Sequence, residues 1–167
     1  PKGVSLLYIS PLKALNYDIE RNLRHPLEGI AQEMRRMGLE PPEIRAAVRT
    51  GDTPSRERAR MARRPPHILI TTPESLNLIL CSRAAAMLAG VRQVIVDEIH
   101  SLASNKRGAF LSILLERLEE QTGRSFSRVG LSATQRPLEE VARFLGGYDS
   151  RGRERPVRIV NAGARKK

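Results

Sequence analysis

Short apolar runs alternate along the chain with longer stretches in which apolar residues return every three or four positions. The runs are "VSLLYI" (4–9), "IRAAV" (44–48), "HILIT" (67–71), "QVIVD" (93–97), "SRVGLS" (127–132) and "VRIV" (157–160). Their brevity and branched residues predict strands. Between them, Leu12, Leu15, Ile19 and Leu23 share one helical face, and Leu27, Ile30, Met34 and Met37 share a second. Phe110, Leu111, Leu114, Leu115 and Leu118 form a third stripe. Leu138, Val141 and Leu145 form a fourth, which Gly146-Gly147 should stop as a glycine C-cap. The methionines read as core filling. Strands that alternate with helices predict an α/β fold, a mainly parallel sheet covered on both faces. Right-handed crossovers then bring every strand-to-helix turn to one edge, beyond the carboxyl ends of the strands, where such sheets bind ligands.

Composition adds bounds to this picture. A length of 167 residues predicts one domain, large enough to bury a core. No apolar run approaches the roughly 20 residues that span a bilayer, and no signal-peptide succession is present. Cys81 is the one cysteine, which excludes an internal disulfide and fits a reducing, cytoplasmic location. The chain opens at Pro1 without Met and runs almost at once into an apolar segment, so the expectation is a piece excised from a longer protein. The tail "NAGARKK" reads as a frayed end or linker.

Charge narrows the partner. The net charge is +11, and 24 of the 29 basic residues are Arg. That balance points to a polyanion such as nucleic acid, unless it is only an Arg-rich composition bias. Three Phe, three Tyr and no Trp leave little for base stacking, so phosphate contacts are expected to dominate.

The chemistry-bearing residues sit at the predicted turns: "SPLKAL", "TGDTPS", "TTPESL", "DEIHSL" and "SATQRPLEE". Ser10-Pro11, Thr53-Pro54 and Thr72-Pro73 each pair a capping hydroxyl with Pro at a first helical position. They are either efficient caps alone or helix N-termini that together hold a row of phosphates, with Lys13 adding a full charge. The segment "SRERARMARR" (55–64) holds Arg56, Arg58, Arg60, Arg63 and Arg64. It is either a solvated helix face paired with Glu57 or a helix flanking that phosphate track.

Asp97 and Glu98 end an apolar run, where a carboxylate needs a partner. A hard cation such as Mg²⁺ suits the pair, with the second carboxylate orienting or deprotonating a water. A structural salt bridge with Lys106 or Arg107 would satisfy them as well. Other chemistries are excluded. There is no H-E-x-x-H, His25, His67 and His100 lack metal-ligand spacing, and no serine lies in a G-x-S-x-G elbow.

The ordered set "SPLKAL", "RTGDTP", "TTPESL", "DEIH" and "SAT" resembles motifs Ia, Ic, Ib, II and III of the first RecA-like domain of superfamily 2 DEAD/DEAH-box helicases. Within that superfamily, "YISPLKALNYDI", "TTPESLNLIL", "VIVDEIHSLASNKRGAFL" and "GLSATQRPLEEVARFLGG" are most similar to the large helicase-related (Lhr) family. The resemblance spans residues 4–147. It implies a three-layer RecA-like fold over residues 1–150, with 151–167 starting a connector to a second RecA-like domain. It implies that Asp97 holds the Mg²⁺ of MgATP through water and that Glu98 activates the water attacking the γ-phosphate. His100 would act as a relay, and Ser132 and Thr134 would couple nucleotide state to grip. Pro11, Leu12, Lys13 and Ala14, then Thr50, Gly51 and Asp52, then Thr72, Pro73 and Glu74, would line the tracked strand. The implied activity is ATP-driven translocation on single-stranded DNA with 3′-to-5′ duplex unwinding, a link to DNA repair, and RNA or DNA–RNA hybrid as further partners.

One departure matters. No G-x-x-x-x-G-K-[ST] occurs in the 167 residues, so the phosphate cradle is missing here. The expectations are that this polypeptide alone neither hydrolyses ATP nor unwinds duplex, and that a strand edge or a gap in the sheet is exposed and invites self-association. Two further readings compete: a non-catalytic nucleic-acid-binding module derived from the helicase fold, and a small-nucleotide-binding α/β domain unrelated to nucleic acid.

Overall fold

A computed structural model describes residues 3–133, 137–149 and 151–161, the side chains of residues 13–15 apart. Five parallel strands form one sheet. They are β1 (Leu6–Ile9), β2 (Ala46–Arg49), β3 (Ile68–Thr71), β4 (Gln93–Val96) and β5 (Ser127–Gly130), in the order β2-β3-β1-β4-β5. The helices are α1 (Lys13–Arg36), α2 (Ser55–Arg63), α3 (Pro73–Leu80), α4 (His100–Ala103), α5 (Lys106–Thr122) and α6 (Leu138–Gly146), with a 3-10 turn at Arg83–Leu88. Each strand gives four residues to the ladder, and Tyr8 pairs with both Ile70 and Ile95. The strands are contiguous, so the open positions are the two edges, β2 and β5, and not a gap.

The alternation of strand side chains divides the sheet into two unlike faces. Leu7, Ile9, Leu69, Val94 and Val96 are fully buried on one, packed with Met61 of α2, Leu76 and Ile79 of α3, and Leu111, Leu114 and Leu118 of α5. On the other face α1 lies over β2 and β3 and helps to bury Ile70 and Val48. Leu6, Tyr8, Gln93 and Ile95, on the same face at the centre of the sheet, are only half-buried. Helices therefore flank both faces, but within this chain coverage is full on one side alone.

Three expectations need correction. The first two helical stripes belong to one 24-residue helix, α1, which carries Pro26 within it. Leu23 and Leu27 stand four residues apart, so one stripe runs through the proline and nothing in the side-chain pattern ends the helix. Ile30 and Met37 fall off that stripe and are exposed. Second, "VRIV" is not a strand. Val157 packs on the core, Ile159 and Val160 are exposed, and no strand among the described residues pairs with them. Third, only one of the three predicted caps forms as expected. Thr72 accepts a hydrogen bond from the Ser75 N–H, with Pro73 at the first helical position. The Thr53 hydroxyl instead accepts from the Thr50 N–H at 2.9 Å, which closes the turn on itself, and α2 starts one residue later than expected without a side-chain cap. Likewise α1 starts after Leu12 without a side-chain cap. The expected C-cap of α6 does form, with Gly147 at φ +61°.

Candidate functional site

Parallel strands place all five exits on one rim, and the strand order sets their sequence along it. From one edge to the other run the turns after β2 (Thr50–Thr53), β3 (Thr72–Pro73), β1 (Ser10–Leu12), β4 (Asp97–Ile99) and β5 (Leu131–Ala133). The three turns expected to meet nucleic acid are thus contiguous, and so are the two expected to serve the nucleotide. The halves meet where the Asp97 N–H donates to the Ile9 carbonyl at 2.8 Å.

In the first half the hydroxyls build the turns. Thr50, Thr53, Thr71 and Thr72 are all buried. The Asp52 N–H donates to the Thr50 hydroxyl at 3.3 Å, and the Thr71 hydroxyl donates to the Arg49 carbonyl at 2.6 Å. Gly51 and Asp52 are exposed at the tip, and Leu12 is exposed beside buried Pro11. Lys13 and Ala14 open α1; their side chains lie outside the described residues. Glu74 stands in the first turn of α3, where a carboxylate complements the helix dipole.

Sequence reasoning missed the partner of Glu74. Arg107, in the first turn of α5, donates from Nε to Glu74 Oε1 at 2.8 Å and from Nη2 to the Pro11 carbonyl at 3.1 Å. One guanidinium therefore ties the β3 exit to the β1 exit. Burial acts to raise the Glu74 pKa, but the hydrogen bond and charge of Arg107 outweigh it and hold the carboxyl below its ordinary value. The pairing spans 33 residues, so no local pattern announces it. It also removes Arg107 as the structural partner of the acid pair.

In the second half Asp97 follows Ile95 and Tyr8 onto the half-open face. Its Oδ1 accepts the Glu98 N–H at 2.9 Å, and the Tyr8 hydroxyl hydrogen-bonds to it. Burial, and then Asp97 itself, push the Tyr8 hydroxyl well above its ordinary pKa. Glu98 has φ +46°, the one non-glycine residue at positive φ among the described residues. Such a conformation costs a carboxylate residue about 1 kcal/mol or more, and strain of this kind gathers at functional sites. Its Oε2 lies 3.2 Å from His100 Nε2. The Ala133 N–H donates to His100 Nδ1 at 3.3 Å, which assigns the remaining ring proton to Nε2, facing Glu98. Glu98, His100 and the turn after β5 thus form one chain of contacts. The Ser132 hydroxyl donates to the Ala133 carbonyl in its own turn, and Thr134 lies outside the described residues.

The donor set suits a hydrated hard cation. Asp97 offers carboxylate oxygen on the less covered face, and no salt bridge joins it to a basic residue among the described residues. Nor do three ligating side chains converge anywhere among them. Carboxylate oxygen is the hard donor that a largely hydrated Mg²⁺ takes.

The chain belongs to the DEAD/DEAH box helicase family, whose model matches residues 1–142. Within the family it is similar to Lhr proteins. It is 53% identical over 160 residues to the Lhr helicase/uracil glycosylase of Escherichia coli K12, covering 96% of this chain and 10% of that one. It is 58% identical over 160 residues to the ATP-dependent helicase Lhr-Core of Methanothermobacter thermautotrophicus, covering 95% and 18%. The structure of Mycobacterium smegmatis helicase Lhr bound to ssDNA and AMP-PNP superposes with a TM-score of 0.86 at 56% identity, over 88% of this chain and 19% of that one. The chain therefore spans under a fifth of the length of each of these relatives. No helix among the described residues is long and apolar enough to cross a membrane.

Proposed function

We propose that this chain is part of the motor of an ATP-dependent helicase, in which ATP hydrolysis drives translocation along single-stranded DNA and unwinding of duplex in the 3′-to-5′ direction. The observation that carries the reading is the division of one rim into a track half and an acid half, joined at Asp97 and Ile9. The relatives named as ATP-dependent helicases, and the Lhr structure holding ssDNA and AMP-PNP, support it. RNA and DNA–RNA hybrid are secondary partners in this proposal, and the location is cytoplasmic.

In this reading Asp97 would hold Mg²⁺ through water. When bound, MgATP would supply the transferable phosphoryl group. Glu98 orients the attacking water and takes its proton. His100 steadies Glu98 through Nε2 and senses the turn after β5 through Nδ1, and Ser132 and Thr134 belong to that sensing turn. Lys13 supplies charge to the track, backed by Leu12, Ala14, Thr50, Gly51 and Asp52. Thr72 and Pro73 act by shaping the α3 N-terminus, and Pro11 and Glu74 by holding Arg107. The phosphate cradle and the second RecA-like domain come from elsewhere in the longer protein.

The test is Glu98→Gln in the full-length protein. ATP hydrolysis stimulated by single-stranded DNA should be abolished while binding of a fluorescent ATP analogue persists; retained hydrolysis removes Glu98 from its role. The missing cradle alone favours the second reading, a non-catalytic module. Turnover by the full-length protein excludes that reading, and residues 1–167 alone should show none.

A further inference from the structure

Arg49 ends β2, and its side chain shares the covered face of the sheet with Ala47, two residues earlier, which packs on the core. It is only 7% exposed, and its Nη1 is buried with no hydrogen-bond partner. Above it lies α2, whose inward stripe is short: Met61 is its buried residue, and Arg58, three positions earlier on the same face, its one half-buried residue. Arg58 donates to the Ser55 hydroxyl at 3.1 Å, and neither guanidinium meets a carboxylate among the described residues. Burial and the charge of Arg58 both lower the Arg49 pKa.

A guanidinium that is buried without a counter-ion is costly, and an apolar side chain of the same size would suit the site better for folding. A buried guanidinium and a half-buried one on neighbouring elements, neither with a carboxylate partner among the described residues, describe a place for an anion. Its location narrows the anion further, because Arg49 runs directly into the Thr50–Thr53 turn on the track half of the rim. The planar fork of donors on each Arg matches phosphate oxygens. We propose that Arg49 and Arg58 together bind one backbone phosphate of the nucleic-acid strand, on the core-side flank of the Thr50–Thr53 turn. The inference rests on the track reading given above. It extends the track past the turn residues to the base of α2, and the contact carries no base information.

The experiment measures binding of a labelled single-stranded oligonucleotide to the full-length protein as a function of salt. Parent, Arg49→Met, Arg58→Met, the double variant, Arg49→Lys and Lys13→Ala are compared. Each Met variant should bind roughly ten-fold more weakly. The double variant should lose one phosphate's share of the salt slope, about 0.7 in log–log terms, and not two shares. Without nucleic acid, Arg49→Met should melt no lower than the parent. If Arg49→Met fails to fold, Arg49→Lys decides in its place, with weaker binding at an unchanged slope. Parental affinity and slope in both Arg variants, with Lys13→Ala weakened, overturns the phosphate pair and leaves the track standing. Parental binding in Lys13→Ala as well overturns both.

Discussion

Gly108, in the first turn of α5, is packed so closely on α4 that it has no room for even a methyl group. A Cβ built there lands on the Leu102 carbonyl oxygen, far inside any separation that real Cβ atoms show. It would also stand 2.7 Å from the Leu102 carbonyl carbon and 3.3 Å from a Phe144 ring carbon. Bringing that carbon alone to an ordinary 3.4 Å parts the two segments by 0.7 Å, and the oxygen demands more. The carbonyl cannot simply turn aside. It accepts the Asn105 N–H at 3.2 Å, and Asn105 in turn caps α5 by accepting from the N–H groups of Arg107 and Gly108.

Overpacking of this kind typically costs 1–3 kcal/mol, and a loosened cap adds about 1 kcal/mol. The helical preference for Ala over Gly returns about 1 kcal/mol. Gly108→Ala should therefore destabilise the domain by about 2 kcal/mol, which lowers its melting temperature by roughly 4–8 °C at this size. Gly29 supplies the control. It lies inside α1 with nothing within 4 Å of a built Cβ, so Gly29→Ala should stabilise by about 0.5–1 kcal/mol. Thermal and urea unfolding followed by circular dichroism compare the two. The same substitution should shift stability in opposite directions; a Gly108→Ala protein as stable as Gly29→Ala refutes the packing argument. Because Arg107 adjoins Gly108, the variant should also weaken single-strand binding by the full-length protein while nucleotide binding persists.

Two further outcomes follow from named contacts. Arg107→Gln should weaken single-strand binding several-fold irrespective of base sequence, and Glu74→Gln should do the same; the double variant should be no worse than either, and additive losses in titrations would mean the two residues act separately. His67 Nδ1 accepts the Arg45 N–H at 3.0 Å, and burial followed by the charge of Arg45 lowers its pKa. The folded state thus binds this proton less readily than the unfolded state, whose pKa is about 6.5. Its contribution to stability is complete above that value and is lost as pH falls below it. Urea unfolding between pH 7.5 and 5 should show the loss, and His67→Asn should reduce it; an unchanged pH profile counts against His67.

The parallel sheet was legible because each strand is a short branched run, and the acid pair because two carboxylates close one of those runs. The order of exits along the rim was not, since it depends on which way each crossover turns and no residue states that. The single helix α1 was hidden because its apolar residues read as two separate stripes, between which Pro26 lies. Thr53 was misread for a related reason: a Thr-Pro pair suits a cap, yet its hydroxyl was already engaged by the Thr50 N–H within the turn. The partner of Arg107 lay in a segment that only the fold brings near, and only the fold shows that Arg49 meets no carboxylate among the described residues. In each case the residue type was visible and the neighbour was not.

The electrostatics of the rim follow from those neighbours. At the β4 end Asp97 has a tyrosine hydroxyl and a backbone N–H but no basic partner among the described residues, while Glu98 meets only a histidine whose Nδ1 accepts a backbone N–H. At the β2 end Arg49 and Arg58 have no acidic one among the described residues. Midway, Glu74 and Arg107 neutralise each other. A chain with 29 basic and 18 acidic side chains could have paired the carboxylates at the β4 end with arginine, and the fold keeps them apart. Pairing them would stabilise the domain and leave neither an acid to hold a hydrated cation nor a cation to hold phosphate. In the proposed reading the two charges stay on opposite halves of one rim, so that an anionic strand and a cation-bound nucleotide would not compete for the same side chains.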